Sequence, residues 1–231
     1  MSRRLFIEFL RKTRLISLAN KIMNLRYSRL KKKALKKGKS DIEAVYNKDF
    51  FQENIDVSTE GARKCIDILY KEFKPKKVID FGCGPGIFIK EFEKKGVKVL
   101  GIDGSLAAKD NAVIDKDKIL IKDLRTEVSI KGKFDLTMCF EVAEHIDNKF
   151  SETLVKNITK NSKTVLFTAA KKGQGGTDHI NEQDNEFWID LFKKKGFEFQ
   201  EELTKKLKKE MWEQKILWWI PENLMIFKKE K

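Results

Sequence analysis

At 231 residues, with 41% hydrophobic and 36% charged side chains, the chain has the size and composition of one globular core with an appendage. Its net charge of +14 is unevenly spread: residues 1–40 hold eight Lys and six Arg against one Glu, a net +13, while residues 41–231 hold 35 basic against 34 acidic residues. The basicity belongs to an N-terminal arm, which excludes a nucleic-acid surface extending over the whole domain.

Residues 1–39 place Leu15, Leu18, Ile22 and Leu25 at helical spacing, with Lys and Arg on the remaining faces. This predicts a basic amphipathic helical arm that breaks up in Lys31–Gly38. Either it is a solvated arm packing one stripe on the body, or it adheres to an anionic membrane surface, with nucleic acid a lesser alternative. The body is residues 40–231. Ser40–Ile55 is polar and aromatic, with Tyr46, Phe50 and Phe51 along it, and Ser58 or Thr59 caps a helix expected over Ala62–Phe73, which Pro75 stops.

The centre of the chain is Val78-Ile79-Asp80-Phe81-Gly82-Cys83-Gly84-Pro85-Gly86, a buried strand, a glycine turn and then a helical run over Ile87–Lys95 that ends at Gly96. Further strands follow at Val97–Ile102, with Asp103 at its tip, at Ile119–Ile121, ending in Lys122-Asp123-Leu124, and at Phe134–Phe140, running into Glu141-Val142-Ala143-Glu144-His145. A helix over Lys149–Asn161 precedes a fifth strand, Thr164–Thr168. The glycine-rich stretch Lys171–His179 reads as a mobile loop, and Asn181 as the cap of the helix bearing Phe187, Trp188, Leu191 and Phe192. Phe197–Gln200 and Leu224–Phe227 are late strands. Alternating strands and helices predict a doubly wound, mostly parallel, seven-stranded Rossmann-like α/β sheet.

Ligands of such sheets bind at the carboxyl ends of the strands, where the sequence places Asp80, Asp103, Asp123 and Glu141. The turn reads Asp-x-Gly-x-Gly-x-Gly. A dinucleotide fingerprint would need its third glycine where Ile87 stands, and no Gly-Lys-Ser/Thr follows for a phosphate loop. The turn and its four acidic tips resemble motif I and the following motifs of the class I S-adenosylmethionine-dependent methyltransferases, over about residues 75–170.

That resemblance implies S-adenosylmethionine as cofactor, with S-adenosylhomocysteine as by-product, and no metal. It puts Gly82, Cys83, Gly84 and Gly86 under the methionine part and Asp80 at the ammonium. Asp103 and Gly104 fall to the ribose, Asp123 and Leu124 to the adenine, and Phe140 and Glu141 to the methionine and sulfonium. The Glu-x-x-Glu-His of Glu141–His145 resembles a segment of small-molecule and lipid methyltransferases, making Glu144 and His145 catalytic candidates beside His179. Each histidine also has a local alternative: His145 bonding nearby backbone, and His179 bonding Asn181 or Asp178 at a helix entry. Tyr46, Phe50 and Phe51 resemble a segment that covers the cofactor, or are core.

The position after the fourth strand reads Cys139-Phe140-Glu141-Val142, so the Asn/Asp-Pro-Pro-Tyr/Phe and Pro-Cys signatures of base-methylating enzymes are absent. This favours an O or N acceptor on a small molecule, sugar or lipid-linked substrate. An RNA methyltransferase using the basic arm, or a non-catalytic cofactor-binding partner protein, are the alternatives. The three cysteines, Cys65, Cys83 and Cys139, have no metal-ligand spacing and point to a reducing, cytoplasmic setting, peripheral to a membrane if the arm adheres. Leu5–Leu10 is too short and charge-interrupted for a secretory signal.

Overall fold

The computed structural model describes residues 15–230. Its seven strands are β1 (Lys77–Phe81), β2 (Lys98–Asp103), β3 (Ile119–Ile121), β4 (Leu136–Phe140), β5 (Thr164–Thr168), β6 (Phe197–Phe199) and β7 (Met225–Lys229), in the sheet order β3-β2-β1-β4-β5-β7-β6. β1 to β5 pair in parallel, and β7 inserts antiparallel between β5 and β6. The order reverses between β1 and β4, which places the switch-point crevice where the glycine turn leaves β1.

The central strands β4 and β5 are almost wholly buried because both faces of the sheet are covered. Along β5, Leu166 belongs to one core with Ile66, Leu69, Phe92 and Leu207, while Val165 and Phe167 belong to the other with Leu154, Trp188 and Phe192. α2 (Lys48–Phe73), α3 (Ile87–Glu93) and α7 (Glu201–Glu213) cover the first face, and α5 (Ser151–Thr159) and α6 (Asn185–Lys193) the second. Short α4 (Leu106–Asp110) and α8 (Trp219–Asn223) complete the layers.

Three helices depart from the sequence reading. α2 begins at Lys48, well before Ala62. Asn47 is its cap, its side chain accepting from the Phe50 amide, while Thr59 lies inside the helix with its hydroxyl donating back to the Ile55 carbonyl. Gly61 sits mid-helix because a Cβ there would fall 2.8 Å from Leu217 Cγ. Asn181 does not cap α6: it is buried, and its side-chain amide donates to the Ala143 carbonyl and Ser151 hydroxyl.

The arm helix α1 (Leu15–Lys36) runs on through the lysine cluster to Lys36, instead of breaking there. Its half-buried stripe is Tyr27, Lys31 and Ala34, whereas Ile22 and Leu25 are 60% and 58% exposed; the side chains of Leu15 and Leu18 and all of residues 1–14 lie outside the described residues. No helix among the described residues is long and apolar enough to cross a membrane.

Candidate active site

The site is built on the turn between β1 and α3. Gly82, Gly84 and Gly86 all take positive φ, and the Gly82 and Cys83 amides donate to the Ile102 carbonyl, tying the turn to β2. A Cβ on Gly82 would lie 2.2 Å from Val142 Cγ2, so only glycine lets the loop after β4 approach. Asp103, at the tip of β2, holds the turn from the other side: its carboxylate accepts from the Gly84 amide and the Ser105 amide, each at 2.8 Å. Burial raises the Asp103 carboxyl above its ordinary range, although the amides of Ser105, Gly84 and Gly104 oppose the shift.

A cavity open to solvent lies over this turn. Gly82, Gly84, Asp103, Gly104, Asp123 and Leu124 form its floor and one side, and Glu141, Val142 and His145 the other. Tyr46, Phe50 and Phe51 cover it, with Phe51 in contact range of Gly84. The 40–47 segment is fastened down by three acidic or hydroxyl groups. Glu43 accepts from the Ser105 hydroxyl and the Leu106 amide, the Ser105 hydroxyl also faces the Tyr46 carbonyl, and Asp41 accepts two bonds from Arg125. Arg125 also grips both oxygens of Asp123, which holds that carboxylate in place at the cavity edge.

Several expected site residues stand behind the wall. The Phe140 side chain packs in the core against Phe88, edge to face at 5.5 Å, and does not line the cavity. Asp80 is 3% exposed beneath the turn, where burial and then the Asp103 charge push its carboxyl up to about 7. Cys83 is buried toward Gly101, and Gly86 caps α3 against Ile114. Glu141 is a non-glycine residue at φ +54, its amide donating to the Thr168 hydroxyl and its carboxylate accepting from Asn223. Such a backbone costs of order 1 kcal/mol or more and is kept where it aims a side chain.

Glu144 and His179 meet His145 at the back of this wall. The two imidazoles meet edge to face at 5.0 Å, and Glu144 is fully buried next to them. His179 Nδ1 meets Glu182 Oε1 at 2.9 Å. The stretch from Lys171 is pinned rather than loose, because the Gly173 and Gly175 amides donate to the same Glu182 carboxylate. Burial works to raise Glu182, but His179 and those amides outweigh it and hold the group below the usual carboxylate range. His145 Nδ1 donates to the Asp178 carbonyl, and burial, then the neighbouring His179, holds His145 well below the usual imidazole range.

Sequence reasoning missed Asp178, Glu182 and Lys31. Asp178 is 1% exposed at φ +58, and its carboxylate accepts from Lys31 Nζ at 2.5 Å and from the Tyr46 hydroxyl at 3.2 Å. Lys31 therefore carries the arm helix to the cavity rim. The only signal in the sequence was the Asp-His pair after the glycines.

A family model described as a methyltransferase domain matches residues 54–202. The ubiquinone biosynthesis O-methyltransferase of Acinetobacter baumannii (strain AYE) is 34% identical across 40% of this chain and 48% of its own length. That of Rickettsia typhi is 27% identical across 61% of this chain and 62% of its own. The chain thus spans between about half and under two-thirds of the length of these relatives. Among solved structures, the methyltransferase domain of bacterial CtHen1-C superposes with a TM-score of 0.52 over 75% of this chain and all of that one, at 16% identity, a likeness of fold. The chain belongs to the methyltransferase-domain family, the class I enzymes that use S-adenosylmethionine. The residues present suit that cofactor: glycines let the backbone of the turn approach it, the carboxylates of Asp103, Asp123 and Glu141 line the cavity, and the two cations there, Lys31 and Arg125, are each paired with a carboxylate.

Proposed function

We propose that this enzyme methylates a hydroxyl oxygen on a small or lipid-linked acceptor. The observation that carries the reading is the cavity's division into two sides. The glycine turn with Asp103, Asp123 and Leu124 suits the nucleoside and methionine parts of the cofactor, and the wall of Glu141 and His145 faces what remains. Bound there, S-adenosylmethionine supplies a methyl group already activated by its cationic sulfur. The chain then has to orient the acceptor, exclude water and take one proton. Tyr46, Phe50 and Phe51 provide an apolar cover, suited to an aromatic or aliphatic acceptor more than to a polyanion. The matched relatives are O-methyltransferases, which supports oxygen over nitrogen.

The arm fits the lipid-linked version of this reading. Ile22 and Leu25 are exposed one helical turn apart on a helix crowded with Lys and Arg, the composition of a segment that rests on an anionic membrane. The test of acceptor class is release of S-adenosylhomocysteine over a panel of phenols, catechols, amines and RNA. Turnover with the hydroxylic small molecules is expected. Turnover with amines or RNA alone would refute the proposal.

A further inference from the structure

We infer that Glu144, His145 and His179 form a binding site for one divalent first-row transition-metal ion in the back wall of the cavity. One ligand atom from each of the three lies within 4.8 Å of the others, a spacing that one ion can span. The two imidazoles are fixed in the tautomer a metal requires. His145 Nδ1 faces the Asp178 carbonyl at 3.3 Å and His179 Nδ1 faces the Glu182 carboxylate at 2.9 Å. Both partners only accept, so each Nδ1 carries the proton and each Nε2 presents a lone pair. An imidazole held by a carbonyl or carboxylate through its second nitrogen is the outer arrangement of a metal-ligating histidine.

Glu144 supplies the second, independent observation. It is fully buried, and neither carboxylate oxygen has a donor at hydrogen-bond geometry, although the Glu144 and Ala170 amides lie near enough to oppose in part the burial that pushes its carboxyl up. Leaving a carboxylate so costs several kcal/mol on the order given for buried unpaired charge, and a cation is the direct remedy. Glu141, three residues before it, brings a second, half-buried carboxylate to the same wall, which accepts from the Asn223 amide. Two imidazole nitrogens with one carboxylate favour manganese, iron, cobalt or zinc over magnesium or calcium, which prefer oxygen. The sequence reading expected no metal, as the family resemblance implied.

The ion's role rests on the hydroxyl-methylation reading above. His145 borders the cavity, so a coordination position on that side can take the acceptor's hydroxyl oxygen. Coordination lowers the hydroxyl pKa, and the proton passes to the Glu141 carboxylate and on to water. The oxygen lone pair then forms the O–C bond as the S–C bond breaks, leaving a methyl ether and S-adenosylhomocysteine.

The experiment uses the full chain, stripped with chelator and dialysed. Manganese(II) is titrated by the paramagnetic resonance signal of the free aqueous ion, and zinc(II) by calorimetry, with S-adenosylhomocysteine affinity measured on the same samples. One tight site per chain is expected. Glu144→Gln and the His145→Ala/His179→Ala double variant should lose it, and Glu182→Gln should weaken it by about 10–100-fold, the usual effect of removing a group that orients a ligand. Wild-type protein that binds S-adenosylhomocysteine but holds metal no better than the double variant overturns the metal site alone. If the variants fail to fold, that wild-type titration still decides. Failure of wild type to bind S-adenosylhomocysteine overturns the cofactor assignment beneath it.

Discussion

Asp103→Ala separates the bracing of the turn, which the structure shows, from the ribose contact that the family resemblance implies for the same carboxylate. Its oxygens accept from the Gly84 and Ser105 amides at 2.8 Å, and each oxygen keeps a second lone pair for a ribose hydroxyl. Losing a hydrogen bond to a charged acceptor costs about 1.5–3 kcal/mol, which is roughly 10–150-fold in Kd for the cofactor. The same substitution strips two amides of their partner, at about 1–3 kcal/mol each where water cannot replace it, so the unfolding midpoint should fall as well. Calorimetry with S-adenosylhomocysteine and its 2′,3′-dideoxy analogue distinguishes the two jobs. Wild type should lose on removal of the hydroxyls about what the variant loses on removal of the carboxylate, and the variant should bind both ligands alike. A variant that still discriminates between them by the wild-type factor would show that Asp103 only braces the turn.

Asp80 provides a pH test. Its carboxyl is raised to about 7, so between pH about 4 and 7 the folded chain holds a proton that the unfolded chain has released, and stability from this group is lost as pH rises through that window. Asp80→Asn should therefore gain about 2 kcal/mol on wild type between pH 5 and pH 7 in urea denaturation, and a gap independent of pH would contradict it. For the arm, the substitution of Ile22 and Leu25 by Ser should abolish salt-sensitive flotation on anionic liposomes while leaving cofactor affinity unchanged, since Lys31, the arm residue at the cavity, is untouched. If the variant floats as wild type does, the arm does not insert these residues.

The sheet was legible because its strands are short apolar runs closed by acidic or glycine residues, and Ile119–Ile121 and Thr164–Thr168 end where the sequence reading ended them. The start of α2 was not, because Ser58, Thr59 and Gly61 look like a break. They are tolerated because Asn47 caps the helix far upstream and Gly61 makes room for Leu217, a residue distant in the chain. The glycines after Lys172 misled in the same way. Composition says flexible, yet Glu182 gathers the Gly173 and Gly175 amides and the His179 ring onto one carboxylate.

The strand-tip part of the site and the part around His145 differ in how they are encoded. Asp103, Asp123 and Glu141 sit at strand ends, so the parallel topology alone brings them to one crevice, and a reader who finds the strands finds them. Behind His145, position depends on contacts across long stretches of chain: Lys31 and Tyr46 hold the Asp178 carboxylate, the Asp178 carbonyl holds His145, and Glu182 holds His179. No periodicity announces such a relay, since each member is a polar residue in a turn or loop that has an ordinary local explanation. What gives it away is a cost rather than a pattern. Glu144 is fully buried with no donor at hydrogen-bond geometry, whereas Asp103 and Asp178, also deeply buried, each accept from two donors. One ligand atom each from this carboxylate and two neighbouring imidazoles lies within 4.8 Å of the others, and a cation is the species that such a cluster attracts.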